Sequence, residues 1–360
     1  MNPLSVPNNK IGIHILDVSE LPQAAQLIDS GGGDWGYVTI PIQASDENLV
    51  KWQKFMDQCK KYHIIPIIRL ATVDDYFDTQ AWQTPTQNDI VDFAVFLNSL
   101  DWPTKNRYVI IYNEVNRGDE WGGQADPTNY AHLLSFAVTV FKSASPDFFV
   151  ISAGLDNAAP DQGATFYNEY TYIAAMNQAV PGIFNQVDGI ASHSYPNPGF
   201  SQSPDASSLM GVGSFFHERN LIESMSTKTL PVFITETGWS SSSVPPDTEV
   251  QYYNQTLQTI WDDPDIVAVT PFLLNAGAGP FAQFSFIDAN GNKTKQYKYI
   301  SSLQKTKGKP VLAPVVLGTS TKLASTIPLT TKDFDGFKFR QKPISLTKVS
   351  EGIFDYLINR

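Results

Sequence analysis

The sequence predicts an α/β fold, a single (β/α)8 barrel (TIM barrel) with a short C-terminal extension. Short apolar runs alternate with longer amphipathic stretches along the chain, which is typical of a parallel sheet wrapped by helices. Eight such β/α units fit within residues 1–318, a length that suits one closed barrel. An open, doubly wound sheet is the alternative, but no Gly-rich phosphate loop follows a predicted strand.

Eight runs rich in β-branched and aromatic residues are predicted to be strands, because such side chains favour burial on a pleated sheet. In chain order they read IGIHIL at 11–16, YVTIPI at 37–42, IIPIIRL at 64–70, YVIIY at 108–112, FFVISA at 148–153, VDGIAS at 187–192, VFIT at 232–235 and IVAVTPFLL at 266–274.

Amphipathic stretches between the strands are predicted to be helices. The clearest is 46–62, where Leu49, Trp52, Phe55, Met56 and Cys59 recur at steps of three and four residues and would form one apolar stripe. The others are 21–30, 88–100, 128–143, 166–179, 207–226 and 248–261, with 296–304 as the eighth.

Residues 1–318 are predicted to form the barrel, and residues 319–360 an extension packed on it. After residue 318 the composition changes to Ser, Thr and Lys with little helical periodicity. Phe334, Phe337 and Phe339 are candidate apolar anchors for this tail. The pattern indicates no function for the extension.

The charge of the chain argues against some partners. A net charge of −11 at pH 7 and a pI near 4.9 oppose binding to nucleic acid or anionic membranes, which require clustered Lys and Arg. No apolar stretch approaches the ~20 residues of a membrane-spanning helix. The single cysteine, Cys59, cannot form an intramolecular disulfide. We expect a secreted or cell-surface protein whose leader is absent from this chain rather than a cytoplasmic one.

Two apolar runs end in a glutamate. Residues 108–118 read YVIIYNEVNRG and residues 231–240 read PVFITETGWS, which places Glu114 and Glu236 at the carboxyl ends of the fourth and seventh strands. Active sites of (β/α)8 barrels lie at these strand ends. Either glutamate alone could be an ordinary strand-end charge, but the two together match the carboxylate pair that glycoside hydrolysis needs.

These motifs resemble clan A glycoside hydrolases, (β/α)8 enzymes that cleave β-glycosidic bonds with retention. The resemblance covers residues 11–318 and rests on Asn113 and Glu114 after strand four and on Glu236, followed by Thr-Gly-Trp, on strand seven. It implies a β-linked oligo- or polysaccharide substrate, no cofactor, Glu114 as acid/base and Glu236 as nucleophile. Many families of the clan have tryptophan at the end of strand eight, where this chain reads Thr-Pro-Phe. The family and the sugar therefore stay open.

A retaining mechanism needs one carboxylate that attacks the anomeric carbon and one carboxylic acid that protonates the leaving oxygen, about 5 to 5.5 Å apart. Two carboxylates at so short a distance repel each other. Ionisation of one therefore raises the proton affinity of the other, which lets one stay protonated near neutral pH.

Residues near the glutamates are candidate substrate-binding groups. Asn113 is predicted to donate to the sugar 2-hydroxyl, with a backbone cap as the alternative. His193 and Tyr195 lie two positions apart at the end of strand six, so both side chains should point inward. The resemblance implies that they bind sugar and that the Tyr195 hydroxyl holds Glu236. A polar pair without a role in binding is the alternative.

Two further strand ends carry polar residues. Arg69 closes the third strand and requires a carboxylate partner at the barrel mouth, for which Glu236 is one possibility. Several families of the clan supply such an arginine from strand two, so the role of Arg69 is open. His14 on the first strand is predicted either to bind a substrate hydroxyl or to be a core histidine.

Aromatic rings commonly form platforms for the apolar faces of sugars. Trp121 and Trp239 follow the two glutamates in the chain and are the predicted platforms. Trp35, Trp82 and Phe272 are weaker candidates, because aromatic residues near strand ends more often pack in the core.

Two rival functions were weighed against hydrolysis by carboxylates. A metal-dependent hydrolase would need several histidines that converge on one site. The chain has only five histidines, and they form neither a His-x-His motif on the first strand nor a His-Glu-x-x-His motif. We therefore expect no metal. A catalytically inactive carbohydrate-binding barrel would fit the same residues if its cleft were distorted or blocked.

Overall fold

The computed structural model describes residues 1–72, 81–277 and 279–314. Its strands are β1 (Gly12–His14), β2 (Gly36–Gln43), β3 (Ile64–Ala71), β4 (Arg107–Ile110), β5 (Phe148–Ser152), β6 (Gly189–His193), β7 (Val232–Glu236) and β8 (Ile266–Val269). The helices are α1 (Leu21–Ile28), α2 (Leu49–Lys61), α3 (Gln87–Ser99), α4 (Pro127–Ala144), α5 (Glu169–Ala179), α6 (Ile183–Gln186), α7 (Ser214–Glu223), α8 (Pro246–Gln258) and α9 (Lys295–Ser302).

The eight strands form one parallel sheet in the order of the chain. A parallel bridge between Ile11 and Val269 joins the first strand to the last. Beyond this bridge, the Leu274 N–H donates to the His14 carbonyl at 2.9 Å. The sheet is thus closed into a barrel with the helices outside it, and the predicted (β/α)8 fold is confirmed.

Some element boundaries differ from the prediction. The predicted helix 207–226 is only α7, because the preceding segment forms a loop whose Met210 carbonyl accepts a hydrogen bond from the Asn197 N–H. The predicted strand 266–274 ends at Val269, because Pro271 has no N–H to continue the ladder. The predicted extension 319–360 lies outside the described residues. Within the described residues, no helix combines the length and the apolar character needed to cross a membrane.

Aromatic side chains fill the lower part of the barrel. Tyr37, Tyr108, Phe149 and Phe233 form a buried interior cluster with isoleucines of β3, β4 and β5. Gly12 occupies the position on β1 where a Cβ atom would collide with the Tyr37 carbonyl. The interior is therefore a packed core toward its amino-terminal end, and a cleft lies at the carboxyl-terminal ends of the strands.

Three carboxyl groups, those of the buried Glu249 and the partly buried Glu20 and Asp29, should make stability depend on pH. Burial raises the pKa of Glu249 on α8 to about 8 and those of Glu20 and Asp29 to about 7. Because the folded chain holds these protons more tightly than the unfolded chain, their stabilising contribution is complete below the unfolded pKa values. It is lost as the pH rises through about 7 to 8.

We therefore expect the free energy of unfolding to decrease between pH 5 and pH 9. Glu249→Gln should reduce the slope by up to about 1.4 kcal/mol per pH unit, the contribution of one group. Denaturant unfolding at a series of pH values measures it. Glu223→Gln, on the partly exposed face of α7, is the control and should keep the wild-type slope.

Candidate active site

Alternation along the strands brings several of the predicted residues to one end of the barrel. Ile65 and Ile67 point into the interior, so Arg69 on the same face of β3 reaches the mouth. On β6, Ala191 points inward in the same way and places His193 at the mouth. A register shift between β6 and β7 then pairs His193 with Glu236. The imidazole and the carboxylate are neighbours because of this shift.

Glu114 is presented by irregular backbone instead of by the strand itself. β4 ends at Ile110, and Tyr112 and Glu114 then adopt positive φ angles of 68° and 37°. The Glu114 N–H donates to the Gly154 carbonyl at 2.9 Å, which ties this turn to the end of β5. Positive φ is unfavourable for residues other than glycine and persists where the surroundings enforce it, often at functional sites.

The two glutamates meet in the barrel mouth. One carboxylate oxygen of Glu114, one of Glu236 and a ring nitrogen of His193 all lie within 4.8 Å of one another. The side chains are largely buried, with 12% of Glu114 and 9% of Glu236 exposed. Both carboxylates can therefore contact the same small group of a ligand in the barrel mouth.

Glu236 is held by two donors. Arg69 Nη1 donates to Glu236 Oε1 and also to Asn113 Oδ1. The Tyr195 hydroxyl donates to Glu236 Oε2 at 3.0 Å. Burial, followed by the charges of Glu236 and Glu114, raises the pKa of Tyr195 well above its usual value, so the hydroxyl stays protonated and remains a donor. Together these two donors fix the orientation of the Glu236 carboxylate.

Glu114 has a different partner. His193 Nδ1 lies 3.1 Å from Glu114 Oε1 and 3.8 Å from Glu236 Oε2. Burial lowers the pKa of His193, but the charge of Glu236 and the hydrogen bond to Glu114 outweigh burial, so the net pKa is raised. His193 Nδ1 can therefore donate a hydrogen bond to Glu114, while the Glu236 carboxylate acts on it only through its charge. The Asn113 amide oxygen accepts from Arg69, and within the described residues its N–H2 group has no hydrogen-bond acceptor.

His14 lies beneath the site and not in contact with solvent. Its side chain is fully buried, and Nε2 lies 3.6 Å from Glu236 Oε1. Burial, then Arg69 and His193, lower its pKa well below the usual value, so the ring is neutral. The ring does not line the cleft, and neither of its nitrogens has a hydrogen-bond partner among the described residues, so both predicted roles of His14 stay predictions.

A cleft with a volume of about 400 Å³ runs over these groups. Its wall on the side of β8 is aromatic, and Tyr195, Phe272 and Phe284 form one buried cluster there with Phe200 and Phe281 packed on it. The opposite side includes Trp82, which is only partly buried. The Trp82 N–H donates to the Asp119 carbonyl at 2.8 Å, so the loops after β3 and β4 are joined at the cleft.

The structure corrects the two predicted platforms. Trp239 is fully buried and donates from Nε1 to the Gln202 carbonyl at 2.8 Å. Trp121 is 2% exposed and packs edge-on against Tyr112 and Tyr130. Neither ring presents a face to the cleft, because both are part of the core around the barrel.

Sequence reasoning gave too little weight to Phe272 and Trp82 and missed Arg117 and Asp156, which also line the cleft. Phe272 occupies the region after β8 where many clan families have tryptophan, so its position in the chain was an available signal. Arg117 and Asp156 come from different loops, and no local pattern in the sequence pairs them.

The three groups that converge, Glu114, His193 and Glu236, could in principle ligate a metal ion. However, Arg69 donates to Glu236 and Arg117 Nε lies 3.8 Å from Glu114 Oε2. Two fixed guanidinium charges against the same carboxylates oppose binding of a divalent cation. We expect EDTA dialysis to leave hydrolysis unchanged and added Zn²⁺ to give no increase. Loss of activity on dialysis that Zn²⁺ restores would contradict this.

Gly154 is needed to seat His193 beside Glu114. A Cβ atom at Gly154 would collide with Cδ2 and Nε2 of the His193 ring. We expect Gly154→Ala to displace the ring and lower kcat/KM by about 10²-fold, the effect of a misplacement of roughly 1 Å. A double-mutant cycle tests the cause. Gly154→Ala should cost little in a His193→Ala background, whereas an equal loss there would show that the glycine acts through something else.

Comparisons with known proteins support the fold. Neither a scan against protein-family models nor a search of curated proteins finds a match. Among solved structures, a family 39 glycoside hydrolase from Bacteroides cellulosilyticus WH2 matches 85% of this chain at 16% identity and a TM-score of 0.56. This chain spans 65% of that protein's length.

Two further matches cover more of the other chain. A GH5_18 protein from Streptomyces cattleya, in complex with GlcNAc, matches at 14% identity and a TM-score of 0.58, over 82% of this chain and 79% of that one. A β-mannanase from Thermomonospora fusca matches at 14% identity and a TM-score of 0.54, over 82% and 90%. At such identities the similarity shows a shared barrel fold.

Proposed function

We propose that the protein is a retaining glycosidase that cleaves β-linked glycans or oligosaccharides by double displacement. One observation carries the proposal. An oxygen of Glu114 and an oxygen of Glu236 lie within 4.8 Å of each other at the mouth of the barrel. The two carboxylates have different partners: Glu236 accepts hydrogen bonds from Arg69 and Tyr195, whereas Glu114 contacts His193. A nucleophile and an acid with separate environments are what this reaction needs.

In the first step, a Glu236 carboxylate oxygen attacks the anomeric carbon while Glu114 gives its proton to the leaving glycosidic oxygen. The bond from the anomeric carbon to that oxygen breaks, and a glycosyl ester forms on Glu236. In the second step, Glu114 takes a proton from water as the water oxygen attacks the anomeric carbon. The ester bond breaks, and Glu236 leaves as a carboxylate. Two inversions give net retention.

Other residues of the site have roles that fit this sequence of steps. Arg69 and Tyr195 hold Glu236 in position for attack, and they donate to its carboxylate again when the ester bond breaks. The N–H2 of Asn113 would donate to the 2-hydroxyl, where a hydrogen bond strengthens as the oxocarbenium-like transition state develops. Phe272 provides the aromatic wall against the reacting sugar, in place of tryptophan.

These observations favour a class of substrate, β-linked glycans, and do not single out one sugar. One of the matched structures is a β-mannanase with a mannotriose complex, and another binds Manβ1-4GlcNAc. We therefore place β-mannosides first in a substrate panel, followed by β-glucans, galactans and xylosides. The cleft is lined by apolar and aromatic side chains and by a nearly equal number of polar and charged ones, which suits sugars with an apolar face and polar hydroxyls.

A catalytically inactive carbohydrate-binding barrel is the second candidate. It would have the same cleft and the same aromatic wall, but it would bind the panel without turnover. Calorimetric binding to an oligosaccharide that stays intact over many hours would favour it. Two donors hold Glu236 in one orientation, as a nucleophile requires, and this favours the enzyme.

The stereochemistry of the first product tests the mechanism. Proton NMR of the anomeric region during early hydrolysis of a β-glycoside should show the β-anomer first, with the α-anomer appearing later by mutarotation. An α-anomer as the first product would mean inversion and would remove Glu236 from its role as nucleophile.

A further inference from the structure

An ion-pair cluster lies in the loops after β4 and β5. Arg117 donates to both carboxylate oxygens of Asp119, at 3.0 and 2.7 Å, and to Asp156 Oδ2 at 2.6 Å. Its guanidinium also packs over the ring of Phe166. Only 11% of the Arg117 side chain is exposed. These contacts fix the position of the charge, as expected for a bidentate arginine pair in a partly desolvated site.

The cluster lies against the proposed acid. Arg117 Nε is 3.8 Å from Glu114 Oε2, and the Arg117 backbone N–H donates to the Glu114 carbonyl at 2.9 Å, closing a turn. Asp156 pairs through its backbone with His193, the residue that contacts Glu114 from the other side. One arginine faces two aspartates, so the cluster has an excess negative charge when both aspartates are ionised.

Charged groups from other elements also face Glu114 within the described part of the chain. His193 comes from β6, Glu236 from β7 and Arg69, which pairs with Glu236, from β3. Glu120 lines the same cleft. Arg69 and Glu236 thus form an ion pair on the side of the site that holds the proposed nucleophile. The balance of charge on the side of Glu114 depends on His193 and on the arginine–aspartate cluster.

We propose that Arg117 and Asp156 are positioning residues that set the protonation of Glu114, with Asp156 taking up the arginine charge that would otherwise hold Glu114 ionised. This inference rests on the proposed function, because it assigns the control of its acid. Burial and then the charge of Glu114 raise the pKa of Asp156. Coupling between two charges is reciprocal, so the charge of Asp156 must favour the proton on Glu114 to the same extent.

Two substitutions should shift the pH profile in opposite directions. In Asp156→Asn, Arg117 is shared by Asp119 and Glu114, so the basic limb of kcat/KM should move down by about one pH unit. In Arg117→Met, the cation is lost while the carboxylates remain, so the limb should move up by a similar amount. Arg117→Lys keeps the charge and should restore most of the wild-type profile.

The choice of substrate separates protonation from general damage to the site. A substrate with a poor leaving group needs the acid and should show both shifts, whereas a glycosyl fluoride needs no proton and should show neither in its glycosylation step. Asp263→Asn is the matched control, since it breaks the bidentate pair with Arg219 outside the cleft. It should leave both profiles unchanged.

A titration without substrate keeps this inference distinct from the proposed function. The side-chain carboxyl carbon of Glu114, assigned in the full-length chain labelled with ¹³C-glutamate by its loss in Glu114→Gln, reports protonation directly. Shifts in opposite directions in Asp156→Asn and Arg117→Met support the inference even if no glycoside is hydrolysed. Equal titration in the wild type and both folded variants, or shifts in the same direction, would overturn it.

Discussion

Replacing Glu236 with glutamine should lower kcat/KM for every β-glycoside by about 10⁵-fold, a loss comparable to the removal of a covalent nucleophile in other enzymes. The amide has nearly the same shape and can still be held by Arg69 and Tyr195, but it cannot form the glycosyl ester. Fold and binding should be preserved, so the loss should appear in kcat with KM little changed. Steady-state kinetics, with the melting temperature as a check on folding, measure this.

A matched control and a rescue experiment make the result specific. Glu223→Gln makes the same chemical change on α7, away from the cleft, and should retain full activity. In Glu236→Gly, azide can occupy the space of the missing carboxylate and attack from the same face, which gives the α-glycosyl azide. Formation of the β-azide would instead assign Glu236 as the acid/base.

Replacing Glu114 with glutamine should have an effect that depends on the leaving group. For an oligosaccharide, whose leaving hydroxyl must be protonated, kcat/KM should fall by about 10²- to 10⁴-fold, the usual contribution of general acid catalysis. For a glycosyl fluoride, glycosylation should be nearly unchanged and water attack should become rate-limiting, because the base is also missing. A burst of fluoride followed by slow turnover is the expected kinetic signature.

The same loss for both substrates would contradict the assignment of Glu114. It would mean that the substitution disturbs the site as a whole, for example by releasing His193, whose Nδ1 lies 3.1 Å from the carboxylate. His193→Ala is the comparison that separates the two explanations. It removes the contact but keeps the acid, so it should slow both substrates without making the effect depend on the leaving group.

Those parts of the fold and site that depend on local alternation could be predicted from the sequence. The eight strands follow from short apolar runs, and the inward positions of Arg69 and His193 follow from the period of two along β3 and β6. Glu236 could be placed at the mouth because it ends a strand. Its pairing with His193 also depends on a register shift between β6 and β7, which no pattern in the sequence reveals.

The predictions that failed concern side chains whose positions depend on loop conformations and long-range contacts. Trp121 and Trp239 are near the glutamates in the chain, but the loop conformations turn both rings into the core, where Trp239 packs against Trp261. Conversely, Arg117 and Asp156 are 39 residues apart and meet only because the loops after β4 and β5 are adjacent. The position of a residue in the sequence predicts well on which face of a strand its side chain lies. It predicts poorly in which direction a side chain in a loop points.

Trapping of the covalent intermediate tests the central claim most directly. A 2-deoxy-2-fluoro-β-glycoside with a good leaving group should inactivate the protein with one label per chain, because the fluorine slows the second step more than the first. Mass spectrometry of the digested protein should then place the sugar on the peptide that contains Glu236. A label on another residue, or hydrolysis without any trapped intermediate and with an α-anomer as the first product, would contradict the account.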